Sequence, residues 1–86
     1  MLKVLFEDLH WSKKLKVLRV INGWNQDEAA ARCLTHQKMY WNWEKGRNYP
    51  NMRNRKAIAK AFHLKPEDIF SDNDKVNKWL RNYKKN

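Results

Sequence analysis

Apolar and polar positions repeat at helical spacing through the centre of the chain, and residues that start or stop helices stand at the ends of each repeat. Residues 12–22 form a predicted first helix, which Ser12 can cap and which Gly23 can end in a left-handed conformation. Val17 and Val20 add a second apolar strip to this helix. The main packing stripe of this predicted first helix is Leu15, Leu18 and Ile21 or Asn22.

Two short helices joined by a tight turn follow along the chain. Asn25 is a good N-cap for the first of them, which has acidic residues in its first turn and runs to about Cys33. Thr35 can cap the next helix, which runs to about Lys45 and stops at Gly46. This part of the chain is therefore predicted to form a helix, a turn and a second helix.

Capping signals mark two further helices before residue 71. Asn51 can cap a fourth helix, and Pro66 suits the first position of a short fifth helix. Ile69 and Phe70 should point inward from that fifth helix. The packing side of the fourth helix is predicted to be Met52, Ile58, Ala59 and Phe62.

The two ends of the chain are less regular. Residues 2–9 fit both helical spacing and the alternation of a short strand, so both structures stay open. A break at SDND separates a predicted domain at 1–70, with its core in 12–70, from a basic amphipathic helix at 71–86. This last helix can pack back on the domain or pair two copies as a homodimer. Its apolar stripe is Val76, Trp79, Leu80 and Tyr83.

Composition narrows the class of protein. With 86 residues, 42% of them hydrophobic, and five tryptophans, the chain can fold around one small core. Nineteen Lys and Arg against nine Asp and Glu give a net charge of +10, which is typical of a domain that meets a polyanion such as nucleic acid or an acidic membrane surface. Cys33 is the single cysteine, and no apolar run is long enough to span a membrane, so we expect a cytoplasmic protein without a membrane partner.

The predicted third helix has two unlike faces. At about 100° per residue, His36, Tyr40 and Trp43 share a face suited to packing. The opposite face is polar except for one tryptophan, and its amides and amines can pair with adenine and guanine. A solvated helix surface would have a similar composition, but the tryptophan and the basic residues that follow favour a binding face. Its members are Gln37, Lys38, Trp41, Asn42 and Lys45.

Several short motifs stand in order along the chain. The first are Leu18-Arg19, Gly23-Trp24-Asn25-Gln26 and Ala30. The later ones are Trp43-Glu44-Lys45-Gly46, Ile58-Ala59-Lys60-Ala61-Phe62 and Ile69-Phe70. In this order, and without a gap over residues 12–70, the chain resembles the phage-repressor/Cro-type (XRE-type, lambda-repressor-like) helix-turn-helix DNA-binding family.

The resemblance implies an all-α fold: a compact five-helix domain, here with the extra C-terminal amphipathic helix, whose third helix enters the major groove of double-stranded DNA. It also implies a partly buried ion pair between Arg19 and Glu44. Base edges would face Gln37, Lys38 and Asn42, and we place Trp41 beside them against a thymine methyl or the sugar-phosphate wall. Phosphates would be contacted by Gln26, Lys45, Arg47 and Asn48.

Two positions depart from the family pattern. Leu34 stands where the family usually has Gly, and the family's capping Ser or Thr would follow one residue after Thr35. A non-glycine residue must bear the left-handed conformation at a cost or use another turn. We therefore expect the third helix to start one residue early, which affects the roles of His36 and Gln37 most.

These observations predict a sequence-specific transcriptional regulator of bacterial or phage origin, and by family tendency a repressor. No cofactor, metal site or enzymatic activity is expected, because the cysteine and histidines lack ligand spacing and no nucleophile motif is present. One alternative is a protein-interaction module, antitoxin- or inhibitor-like, with secondary DNA binding. Another is a single-strand binder that stacks bases on exposed aromatic side chains.

Overall fold

The computed structural model describes residues 6–71, and this part of the chain contains helices and turns but no strand. After a helical stretch at 6–8, five helices follow. They are α1 (Trp11–Ile21), α2 (Gln26–Arg32), α3 (Gln37–Glu44), α4 (Met52–Ala61) and α5 (Pro66–Ile69). The predicted all-α class is confirmed. The C-terminal stripe Val76, Trp79, Leu80 and Tyr83 lies outside the described residues, as does most of 2–9.

All five helices contribute to one core. α3 packs against α1 and α2, and α5 packs against α1 and α4. Inside the core, the Tyr40 hydroxyl donates a hydrogen bond of 3.1 Å to the Leu15 carbonyl oxygen, so the buried phenol has a partner. The buried apolar residues are Trp11, Leu15, Ala29, Ala30, Cys33, Tyr40, Trp43, Ile58, Ala59, Phe62, Ile69 and Phe70.

Most helix boundaries follow the predicted capping residues. Asn25 caps α2 in a reciprocal arrangement with Glu28, each side chain accepting from the other's backbone N–H. Asn51 caps α4, and Pro66 begins α5. Gly23 takes the predicted left-handed conformation after α1, with φ of +72°.

Two predicted caps are wrong by one or two residues. α1 begins at Trp11 with His10 as its N-cap, whose Nδ1 accepts from the Ser12 N–H, while Ser12 itself is buried. α3 is capped by His36, whose Nδ1 accepts from the Met39 N–H, and not by Thr35. His36 is therefore an exposed cap and not part of the packing face. An imidazole nitrogen replaced the expected hydroxyl in both cases.

Two residues predicted to pack are exposed. Met52 retains 59% of its surface and Ile21 retains 68%, because they are the first residue of α4 and the last residue of α1, where no neighbouring helix covers them. Val20, in the second predicted strip of α1, is exposed as well. Trp11 is buried in the core.

The turn between α2 and α3 keeps the left-handed geometry in which glycine is favoured. Leu34 has φ of +61°, and 85% of its surface is exposed. The left-handed conformation of Leu34 therefore costs free energy, and burial of the leucine side chain does not offset this cost. Since α3 begins at Gln37, the expected early start of this helix is wrong.

Leu34→Gly should raise the free energy of unfolding by about 1 kcal/mol, since glycine adopts positive φ without strain. For a domain of this size, that corresponds to a rise in melting temperature of about 5 °C. Thermal unfolding followed by circular dichroism measures the change. The control is Leu34→Ala, which keeps the Cβ and the strain. A glycine variant that melts no higher than the alanine variant would contradict the argument.

Candidate nucleic-acid interface

α3 is oriented by the aromatic residues on its inner side. Tyr40 and Trp43 are fully buried and contact each other edge to face, with ring centroids 6.1 Å apart. Because this side is fixed in the core, the opposite side faces outward. Gln37 and Lys38 are exposed there, and Asn42 is half-buried. The structure thus brings three of the predicted base-reading residues onto one outer face.

A charged pair ties α1 to the end of α3. Arg19 Nε donates to Glu44 Oε2 at 2.6 Å and Arg19 Nη2 donates to Glu44 Oε1 at 3.3 Å, while Nη1 donates to the Trp24 carbonyl oxygen. The side chains are 15% and 5% exposed. The hydrogen bond from the guanidinium to Glu44 raises the pKa of Arg19, so this group stays charged. The predicted ion pair is confirmed.

Two glutamines extend this pair toward the outer face of α3. Gln26 Nε2 donates to Glu44 Oε1 at 3.3 Å, and Gln37 Nε2 donates to Gln26 Oε1 at 3.2 Å. A chain of hydrogen bonds therefore runs from the buried carboxylate to the first residue of α3. The side chains at the starts of α2 and α3 are held in fixed relative positions, although each was predicted to contact a different part of DNA.

Trp41 lies between α3 and the turn that follows it. Its half-buried ring has Arg47 Cζ at 4.8 Å and Lys45 Nζ at 5.5 Å from the ring centroid. Both distances are within the range of cation–π attraction. The tryptophan on the polar face therefore positions two cations.

The turn after α3 carries the remaining predicted phosphate contacts. Gly46 has φ of +72°, and this left-handed residue reverses the chain directly after Lys45. Lys45, Arg47 and Asn48 are all exposed. Two cations and an amide thus stand together at the end of α3, where they can reach an anion in solution.

Two lysines near this surface were not anticipated from the sequence. Lys13 and Lys16 of α1 line a cleft of about 220 Å³ together with Trp41 and Lys45. The spacing of Lys13 and Lys16 shows only that they share one side of α1. Their approach to α3 depends on the packing of the two helices, which no local pattern reveals.

The described residues contain no cluster suited to metal binding, and their one cysteine is not activated. Cys33 is buried, and this burial raises the pKa of its thiol to about 12, so it is protonated at neutral pH. Within residues 6–71, no three His, Cys, Asp or Glu side chains form a potential metal site. No helix in this range has the length and hydropathy needed to cross a bilayer.

Comparisons with known proteins agree with this geometry. Residues 15–69 match the family described as Helix-turn-helix, which is more than half of the chain. The chain is also similar to the HTH-type transcriptional activator BcrR of Enterococcus faecalis, at 26% identity over 68 residues. That alignment covers 79% of this chain but only 33% of BcrR, so the chain spans about a third of this relative's length. No solved structure matches the chain.

The chain belongs to the XRE-type helix-turn-helix family, whose members bind double-stranded DNA and regulate transcription. The family is generally non-enzymatic. In the structure, α2 and α3 are the two helices of the motif, and Leu34 lies in the turn between them.

Proposed function

We propose that this protein is a sequence-specific transcriptional regulator that places α3 in the major groove of double-stranded DNA. The orientation of α3 carries the proposal, because its inner aromatic residues leave Gln37, Lys38 and Asn42 on the outside. An α-helix with its side chains is about 10–12 Å across, which fits a groove about 12 Å wide. Amides suit adenine and a lysine suits guanine.

Phosphate contacts complete this arrangement. In the free protein Gln26 is hydrogen-bonded to Glu44 and Gln37, and its position at the start of α2 supports a role at the edge of the groove. Lys45, Arg47 and Asn48 lie at the other end of the motif. Such contacts supply affinity that does not depend on sequence and hold the reading helix in register.

We further propose that the protein represses transcription, because a domain seated in the groove over a promoter excludes polymerase from the same DNA. BcrR is described as an activator, but this chain spans only about a third of it. A reporter promoter overlapping the protein's binding site measures the sign of regulation. Lower transcription is expected when the protein is expressed, and higher transcription would overturn the repressor proposal.

Selection from a randomised duplex library tests sequence-specific binding directly. At about 150 mM salt, nonspecific phosphate binding is weakened, and we expect one motif to be enriched. An inverted repeat would indicate a homodimer, for which the stripe at Val76, Trp79, Leu80 and Tyr83 stays the predicted contact. An asymmetric site would indicate a monomer. If no motif is enriched, the proposal fails and the protein-interaction module replaces it.

A further inference from the structure

The cleft between α1 and α3 opens beside the proposed reading face. Lys13 and Lys16 belong to its α1 wall, while Trp41 and Lys45 belong to the opposite wall, and Gln26 also lines it. No residue of α4 or α5 contributes to this lining. The cleft thus connects the N-terminal half of α1 with the end of α3.

The electrostatic balance of this cleft is positive. Lys13, Lys16 and Lys45 are exposed, and within residues 6–71 none of the three forms a salt bridge. Glu44 is the acid in the lining, and Arg19 already neutralises it through two hydrogen bonds. Three ammonium groups therefore remain available to an anion.

The lysines of α1 lie on two different sides of the helix. Lys14 turns to the other side, where its Nζ is 3.5 Å from the Asp68 carbonyl oxygen and 5.5 Å from the centre of the Phe6 ring. It is buried, whereas Lys13 and Lys16 are exposed on the side of the cleft. The charge on α1 is therefore directed toward α3.

We propose that this cleft binds phosphodiester groups of the DNA backbone, and that Lys13 and Lys16 extend the contact surface from α3 onto α1. The inference rests on the proposed binding of double-stranded DNA. Trp41 forms the wall of the cleft and holds Lys45 and Arg47 against its ring. Phosphate oxygens in the cleft are then approached by lysines from both walls, and their bound counterions are released.

Salt dependence of DNA binding tests the proposal with Lys13→Gln, Lys16→Gln and the double variant. The affinity of the full chain for a random-sequence duplex is measured by fluorescence anisotropy over a range of salt concentrations. Each lost phosphate contact reduces the slope of log affinity against log salt by about 0.9, so the double variant should lose about 1.8. Over a fourfold rise in salt concentration, the double variant should therefore lose about 12-fold less affinity than the wild type loses.

The matched control is Lys60→Gln, which removes the same charge from an exposed position on α4, outside the cleft. Its slope should equal that of the wild type. If the slope of the double variant also equals the wild-type slope, or if Lys60→Gln lowers the slope as much, the cleft does not bind phosphate. A failed library selection would overturn sequence-specific reading separately, because the slopes are measured on random DNA.

Discussion

Arg19→Ala should lower the free energy of unfolding by about 3 kcal/mol or more. Glu44 is 5% exposed and receives two hydrogen bonds from Arg19, so the substitution leaves a buried carboxylate without its counterion. Gln26 still donates to that carboxylate, but a neutral amide does not compensate its charge. Urea unfolding followed by circular dichroism gives the change in free energy.

Two companion variants separate the ion pair from general effects of losing an arginine. Arg32→Ala removes an exposed guanidinium that lies 4.9 Å from the centre of the Trp24 ring, and this should cost less than about 1 kcal/mol. Glu44→Gln added to Arg19→Ala should recover part of the loss, because a neutral amide costs less to bury than a carboxylate. If Arg19→Ala were as stable as the wild type, the ion pair would make no contribution to the free energy of unfolding.

Lys38→Ala and Asn42→Ala should each reduce discrimination between the selected duplex and a site changed at one base pair by about 1–3 kcal/mol. This corresponds to about 5- to 150-fold in relative affinity. The reason is that both side chains lie on the outer face of α3, where the proposed contacts are with base edges. Anisotropy titrations of the selected duplex and its single-base-pair variants measure the change.

Lys45→Ala is the contrasting variant, because Lys45 lies at the end of α3 among the proposed phosphate contacts. It should weaken binding to all duplexes about equally and reduce the salt slope by about 1. The two kinds of residue are thereby distinguished by different measurements. If Lys38→Ala and Asn42→Ala also weaken all duplexes equally, α3 does not read the bases.

Local sequence signals predicted most of the fold because the physics of helix ends is local. Asn25, Asn51 and Pro66 act at positions set by backbone N–H groups within three residues of each, and all three predictions were confirmed. The core positions on α3 followed from helical spacing, and Tyr40 and Trp43 are buried as expected. The ion pair of Arg19 with Glu44 could be predicted only from the family resemblance, since the two residues are far apart in sequence.

The wrong predictions concern helix caps, for which several residue types are suitable, and side-chain burial, which depends on how the helices pack. His10 and His36 cap helices with a ring nitrogen, although Ser12 and Thr35 are the more common types of cap. Met52 has helical spacing, but its burial depends on whether another helix reaches the first turn of α4. The cleft at Lys13 and Lys16 likewise depends on the packing of α1 against α3.

The hydrogen-bond chain from Gln37 through Gln26 to Glu44 has a consequence for retargeting this protein to other DNA sequences. Lys38 and Asn42 make no side-chain hydrogen bond within the described residues. If they read bases as proposed, a change at either position should alter the recognised sequence and leave the scaffold intact. A change at Gln37 also removes the partner of Gln26 and disturbs the side chain that supports Glu44. New specificities are therefore most accessible through positions 38 and 42, whereas position 37 is constrained by the interior of the domain.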